Sequence, residues 1–180
     1  MIVQSSADGG RMAAWVKQES SLARVGLKGP HAAEWLQSRS VPIPERANSW
    51  VAIAPDEQDI VVRLGATEFF VEQAQSSEKL LSLASELASP IAGVYPVLRE
   101  DHAFVLGGAA ADAVLAEMCN VNFSALRAAD REAVMTMMIG VAVIVVPQGS
   151  AARRRYRIWC DPSYGGYFWS SLQDVASTYE

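Results

Sequence analysis

LARVGLKGPHAAEWL (residues 22–36) and AFVLGGAAADAVL (residues 103–115) pass through the same order of local signals: a short apolar strand, a glycine, then an amphipathic helix. Setting Leu27 over Leu106 aligns Gly29 with Gly108, Ala32 with Ala111, Trp35 with Val114 and Leu36 with Leu115 without a gap. The matched positions after the glycine fall at i, i+3 and i+4, which puts them on one helix face. Glycine suits the turn because it alone adopts positive φ cheaply, and Pro30 stands where a first-turn proline removes no needed N–H.

The segments downstream of the two stretches also correspond in kind. After the first come VAIAP (51–55), then DIVVRLGATEFFVE (59–72), a hairpin turning at Gly65-Ala66. SSEKLLSLASELA (76–88) then reads as a helix with Leu80, Leu83, Ala84 and Leu87 on one face. After the second come the Val/Ile-rich run MTMMIGVAVIVV (135–146), read as a buried strand, a turn near PQGSAA (147–152), the strand RRRYRIWC (153–160) and a closing aromatic helix. YPVLRE (95–100) reads as a linking strand. The order predicts an α+β fold of two tandem ferredoxin-like βαββα halves, with helices packed on antiparallel sheets. A tail over 1–20 precedes a first half over 21–92 and a second over 93–180, packed as one unit.

The chain has 180 residues, 51% hydrophobic and 19% charged, enough apolar material for a core. Its formal charge of −5 argues against nucleic-acid binding, which needs a basic excess to neutralise phosphates. The start, MIVQSSADGGRMAAW, lacks the charged and apolar regions of a secretory signal. The apolar run at 135–146 is shorter than the roughly 18 residues of a spanning helix. Cys119 and Cys160 lack the spacing of a zinc site or disulfide framework, and a cytoplasmic protein with reduced, buried thiols is expected.

In the closing DPSYGGYFWSSLQDVASTYE, Asp161 and Pro162 are a good N-cap and first helical residue. Tyr164, Phe168, Leu172 and Val175 share a stripe that should meet the sheet. Tyr167 and Trp169 project to opposite flanks at about 100° per residue, and are candidates for a partner surface. Gly165-Gly166 weakens the first turn, so a close neighbour packs there or the helix starts later.

This segment resembles the C-terminal signature of the gamma subunit of heterotetrameric sarcosine oxidases, in which a strand runs into Arg-Ser-Phe-Ala, then Tyr, an aliphatic residue, Trp and Leu. Ser163, Tyr164, Gly165, Tyr167, Phe168, Trp169 and Leu172 match those places, exactly or by type, and Pro162 stands where the family has Arg. RVGLKGPHAAEWL, RLGATEFFVE and EMCNVNF (117–123) extend the resemblance over most of the chain. It implies the folate-binding aminomethyltransferase-like fold and a noncatalytic chain that stabilises a large alpha subunit with its own folate domain, beside a flavin-carrying beta subunit. FAD, FMN, NAD and tetrahydrofolate would belong to the partner subunits, with no cofactor in this chain. The alternatives are a self-standing folate-binding or aminomethyltransferase-like protein and an orphan interaction module of the same fold.

Residue-level chemistry is sparse. The KGCYxGQ-type segment of folate-dependent iron-sulfur maintenance proteins and the TGExG-type segment of aminomethyltransferases do not occur, nor do GxSxG, HExxH or a P-loop. Asp56, Glu57, Asp59 and Glu68 could offer a carboxylate to a pterin, but their spacing singles out none, and solvated turn charges are the simpler reading. His31 sits in a first helical turn. His102 comes after Asp101 in a strand, where neighbours point to opposite faces and do not form a base pair. LGGAAADA lacks a full GxGxxG and reads as a tight turn. Arg153, Arg155 and Arg157 form a ladder on one strand face, with Arg154 on the other. The ladder is either a charged edge strand or a dock for an acidic partner patch.

Overall fold

The computed structural model describes residues 13–19, 21–150 and 153–179. Residues 1–12 and 20 of the expected tail, and Ala151 and Ala152 of the expected turn, lie outside the described residues. The strands are β1 (Trp15–Gln18), β2 (Leu22–Lys28), β3 (Ser49–Ala52), β4 (Ile60–Arg63), β5 (Glu68–Ala74), β6 (Tyr95–Val97), β7 (His102–Gly107), β8 (Val134–Met138), β9 (Val141–Gln148) and β10 (Arg155–Cys160). The α-helices are α1 (Ala32–Gln37), α2 (Glu78–Leu87), α3 (Ala111–Met118) and α4 (Gly165–Ser177).

The strands form two five-stranded antiparallel sheets, in the orders β1-β7-β10-β9-β8 and β6-β2-β5-β4-β3. Written this way the sheets have one topology, and the aligned stretches β2–α1 and β7–α3 occupy equivalent places. Each half is α+β as expected, with three strands between its helices. The run read as a single strand over 135–146 is two, β8 and β9, because Ile139 and Gly140 both take positive φ (46° and 83°). Two such residues make the tight turn whose twist suits a two-residue hairpin.

The outermost strands are exchanged. β1, in the stretch expected as a tail, pairs with β7 of the second half; β6, at the start of the expected second half, pairs with β2 of the first. A cut at residue 93 therefore separates β6 from its own sheet. The strand-to-helix turns receive these segments in matching ways. His31 N–H donates to the Gly93 carbonyl (3.1 Å), and its aligned counterpart Ala110 donates to Ala13 (2.5 Å). Gly29 (φ 130°) and Gly108 (φ 109°) allow the approach: a Cβ on Gly29 would lie 2.3 Å from the Gly93 oxygen, and one on Gly108 2.6 Å from that of Ala13. These contacts carry the alignment from sequence to backbone geometry.

Period-two alternation along each central strand then makes four layers. One sheet face, with Leu27, Phe69 and Val71, packs on α1 and α2 through Ala32, Trp35, Leu36, Leu80, Leu83 and Leu87. The equivalent face of the other sheet, with Phe104, Leu106, Tyr156 and Ile158, packs on α3 and α4. The aligned pairs Ala32/Ala111, Trp35/Val114 and Leu36/Leu115 are all buried. The remaining faces meet each other through Trp50, Ile60, Val62, Phe70, Val146 and Trp159, with the Phe70 and Trp159 rings edge to face at 5.2 Å. Burying each such side chain is worth roughly 1.5–3 kcal/mol. At one corner the sheets also touch by backbone: Ser49 bridges Glu132, with Trp50 N–H donating to the Arg131 carbonyl and Ala133 N–H to that of Asn48, both at 2.9 Å.

Candidate functional site

β10 lies between β7 and β9, so Arg155 and Arg157 stand on a central strand and the edge-strand reading is corrected, while Arg153, expected on the same ladder, lies before the strand begins. The three differ sharply. Arg153 is exposed, Arg155 is half-buried and donates to the Asp56 carbonyl (2.9 Å), and Arg157 is 4% exposed. Arg157 Nη1 donates to Glu72 Oε1 (2.6 Å) and to the Gln58 carbonyl (2.8 Å). In the folded chain Arg157 is thus closed to an outside partner, because its counter-charge comes from the opposite sheet. Glu72 is fully buried and also accepts from Arg24 Nη1 and from Trp159 Nε1 (2.7 Å). Arg24 Nη2 donates onward to the Asp101 carbonyl. One carboxylate thereby holds two guanidinium groups and an indole between the sheets, in the arrangement a buried charge requires. Just ahead of β10, Arg154 pairs with Asp112 (3.1 Å) and donates to the Phe123 and Leu126 carbonyls, fixing the loop after α3. Burial, and then the hydrogen bond to Asp112, push the Tyr156 hydroxyl well above the usual phenol range.

Each of the four hairpin carboxylates has a partner within the chain. Gln73 donates to Asp59 (2.9 Å), Arg99 holds Glu68, the Gly149 N–H donates to Glu57 (3.0 Å), and Asp56 caps its own turn at the Gln58 N–H (3.0 Å). The histidines are exposed, with His31 beside Glu34 (3.4 Å). The His102 ring rests on Gly165, where a Cβ would meet Nδ1 at 2.6 Å. This is the close neighbour the glycine pair called for. Cys160 is buried; burial and the Asp101 and Asp161 carboxylates push its thiol up to about 11. Among the described residues no group of three His, Cys, Asp or Glu could hold a metal ion. Among the same residues no helix is long and apolar enough to cross a membrane.

The C-terminal segment presents a surface. Asp161 caps a single 3-10 turn, Pro162–Tyr164, accepting from Ser163 N–H (2.8 Å), and the α-helix begins at Gly165. The tighter turn shifts the helical phase. Gly165, Phe168, Leu172 and Ala176 therefore form the buried stripe, and Tyr164, expected to face the sheet, is 51% exposed. Trp169 is half-buried and stacks on Phe104 (5.8 Å, 12°), whereas Tyr167 is 55% exposed and donates to the Ile139 carbonyl (3.3 Å). That bond sets Tyr167 beside the β8–β9 turn. β8 is an edge strand whose Met135 and Met137 are exposed on the face away from the helices, while Met138 is buried beneath them. Tyr167 and the two methionines thus flank a free strand edge, a combination of unpaired backbone and soft apolar side chains suited to a partner. The methionines escaped sequence reasoning because 135–146 read as one buried strand.

No family model and no curated protein sequence matches the chain. Among solved structures, a chain of the heterotetrameric sarcosine oxidase from Corynebacterium sp. U-96, in complex with pyrrole 2-carboxylate, superposes with a TM-score of 0.73 at 20% identity. The match covers 94% of this chain and 87% of that one. The likeness is one of fold. The glycine cleavage system aminomethyltransferase T from Bartonella henselae gives a TM-score of 0.68 at 16% identity over 90% of this chain and 46% of that one. This chain spans about half the aminomethyltransferase and most of the sarcosine oxidase chain. Its architecture is the one these two chains share.

Proposed function

We propose that this chain is a noncatalytic, gamma-like subunit of a sarcosine-oxidase-like heterotetramer, in which it stabilises a larger subunit carrying a folate domain. The observation that carries the reading is the near end-to-end correspondence with a chain of a heterotetrameric sarcosine oxidase, against a match to half of an aminomethyltransferase. In this reading folate, FAD, FMN and NAD belong to the partner subunits. Docking is assigned to the β8 edge with Met135, Met137, Tyr164 and Tyr167, since aromatic residues and methionine are favoured where chains meet. Arg153 is exposed beside the β9–β10 turn, at the other end of the sheet from Tyr167, and is not part of this surface. The test combines Met137→Asp with Tyr167→Asp and reads two things: recovery of a flavoprotein with the tagged chain from its own cells, and the thermal unfolding of the isolated chain. Loss of the flavoprotein with an unchanged Tm supports the reading. Undiminished recovery removes this surface, and an unsubstituted chain that brings down no flavoprotein removes the subunit role.

A further inference from the structure

Two cavities meet where the β3–β4 turn, the approach to β8 and the β9–β10 turn converge. One of about 360 Å³ is lined by Glu57, Arg127, Arg131, Gly149 and Arg154, among others; the second, of about 300 Å³, includes Arg46, Trp50 and Asp130, and the two share Ala129 and Arg131. The first is lined by three arginines and one glutamate.

The three arginines are not equivalent. Arg127 is forked onto Asp130 (3.0 and 3.1 Å) and Arg154 is held by Asp112, so both have carboxylate partners already. Among the described residues the one ion-pair contact of Arg131, whose side chain is 41% exposed, is a long one, 3.6 Å from its Nη2 to Glu57 Oε1. Its Nη1 is buried and finds no hydrogen-bond partner among the described residues. The guanidinium lies 4.6 Å over the ring of Trp50, a residue 2% exposed whose indole N–H is likewise unpartnered. Facing it, Glu57 accepts the Gly149 N–H through Oε2 (3.0 Å), while the Glu57 carbonyl is tied to Gln148 (2.6 Å) and Arg157 (3.3 Å). The backbone there is anchored and only the carboxylate needs to move. A guanidinium and a backbone amide therefore converge on one carboxylate that satisfies the amide and leaves the guanidinium short. Buried donors are rarely left so, and a missing acceptor is a common reason.

We propose that this junction binds a small molecule through an oxyanion, carboxylate or phosphate, seated between Arg131 and the Gly149 amide, with the Glu57 side chain as the internal competitor that the ligand displaces. The inference is independent of the subunit role. Arginine's planar fork fits either oxyanion, and stacking on Trp50 pre-orders it.

The test is calorimetric titration of the full chain at low ionic strength with inorganic phosphate and, separately, with citrate. Saturable binding of one anion per chain is expected, weakened about tenfold or more by Arg131→Gln, as loss of a charge-assisted hydrogen bond implies. Glu57→Gln should tighten the same binding, because the amide keeps an acceptor for Gly149 while the competing charge is gone. Binding of phosphate alone names a phosphorylated ligand, of citrate alone a carboxylate ligand, and of both the shared chemistry. If neither anion saturates the wild-type chain or Glu57→Gln, or if Arg131→Gln leaves the affinity unchanged, the proposal is overturned. Should Arg131→Gln fail to fold, Arg131→Lys keeps the charge and loses the fork, and the Glu57→Gln arm still decides: affinity unchanged or weakened there also overturns it.

Discussion

Glu72→Gln should be the most damaging near-isosteric change in this chain. The carboxylate is fully buried and holds Arg157, Arg24 and the Trp159 indole across the two sheets. An amide keeps the shape and one acceptor, but leaves two guanidinium groups buried with no counter-charge. Removing one partner of a buried ion pair costs about 3–5 kcal/mol, a large share of the roughly 5–15 kcal/mol that keeps a domain folded. With a urea slope of about 2 kcal/mol/M, the unfolding midpoint should fall by roughly 1.5–2.5 M. Circular dichroism across a urea titration reads this directly. Glu68→Gln is the internal control: Glu68 meets Arg99 with its side chain 36% exposed, and such a pair is worth at most about 1 kcal/mol. Converting Arg24, Glu72 and Arg157 together to methionine should recover much of the loss, since the cost lies in stranded charge and not in the space filled. A Glu72→Gln midpoint within about 0.5 M of wild type, at unchanged slope, would refute the claim that this carboxylate bolts the sheets together.

Gly108→Ala and Gly140→Ala separate crowding from backbone strain. Both sites have positive φ, but a Cβ at 108 meets the Ala13 oxygen at 2.6 Å and one at 140 meets nothing within 4 Å, so the first should lower Tm distinctly more than the second. Cys160 supplies a pH dependence. Its thiol titrates near 9 unfolded and at about 11 folded, so its contribution is intact below pH 9 and is lost as pH rises through 11. Urea midpoints measured from pH 8 to 11 should therefore decline, and less steeply in Cys160→Ala. Charge reversal along the ladder should divide by position: Arg153→Glu leaves the urea midpoint unchanged, while Arg157→Glu, facing Glu72, prevents stable folding.

Much of the fold was legible because the repeat is local. Leu27/Leu106, Gly29/Gly108 and the helical positions after them carry their signal within fifteen residues, and all keep equivalent places in the structure. The exchange of β1 and β6 was not legible, because WVKQ and YPV are short and acquire a sheet only through partners far along the chain. Ile139-Gly140 lacks the Asn or Asp that marks most tight hairpins, so β8 and β9 read as one strand. For the candidate sites, strand periodicity placed Arg155 and Arg157 on one face of β10, whereas Arg153, read into the same ladder, lies before the strand begins. Periodicity could not show that Glu72, 85 residues from Arg157, would be waiting opposite. Tyr167 and Trp169 were separable as flanks of the helix, but their different exposure depends on Phe104 and the β8–β9 turn. Arg131 carried no signal at all: its interest comes from what surrounds it in space.

The subunit role is tested most directly by recovering the tagged, unsubstituted chain from its own cells under native conditions and weighing what comes with it, with a flavin absorbance spectrum of the same eluate. The account predicts this 19.4 kDa chain in fixed ratio with a larger folate-domain chain and a flavin-bearing chain. Recovery of the chain alone, without flavin, would contradict it.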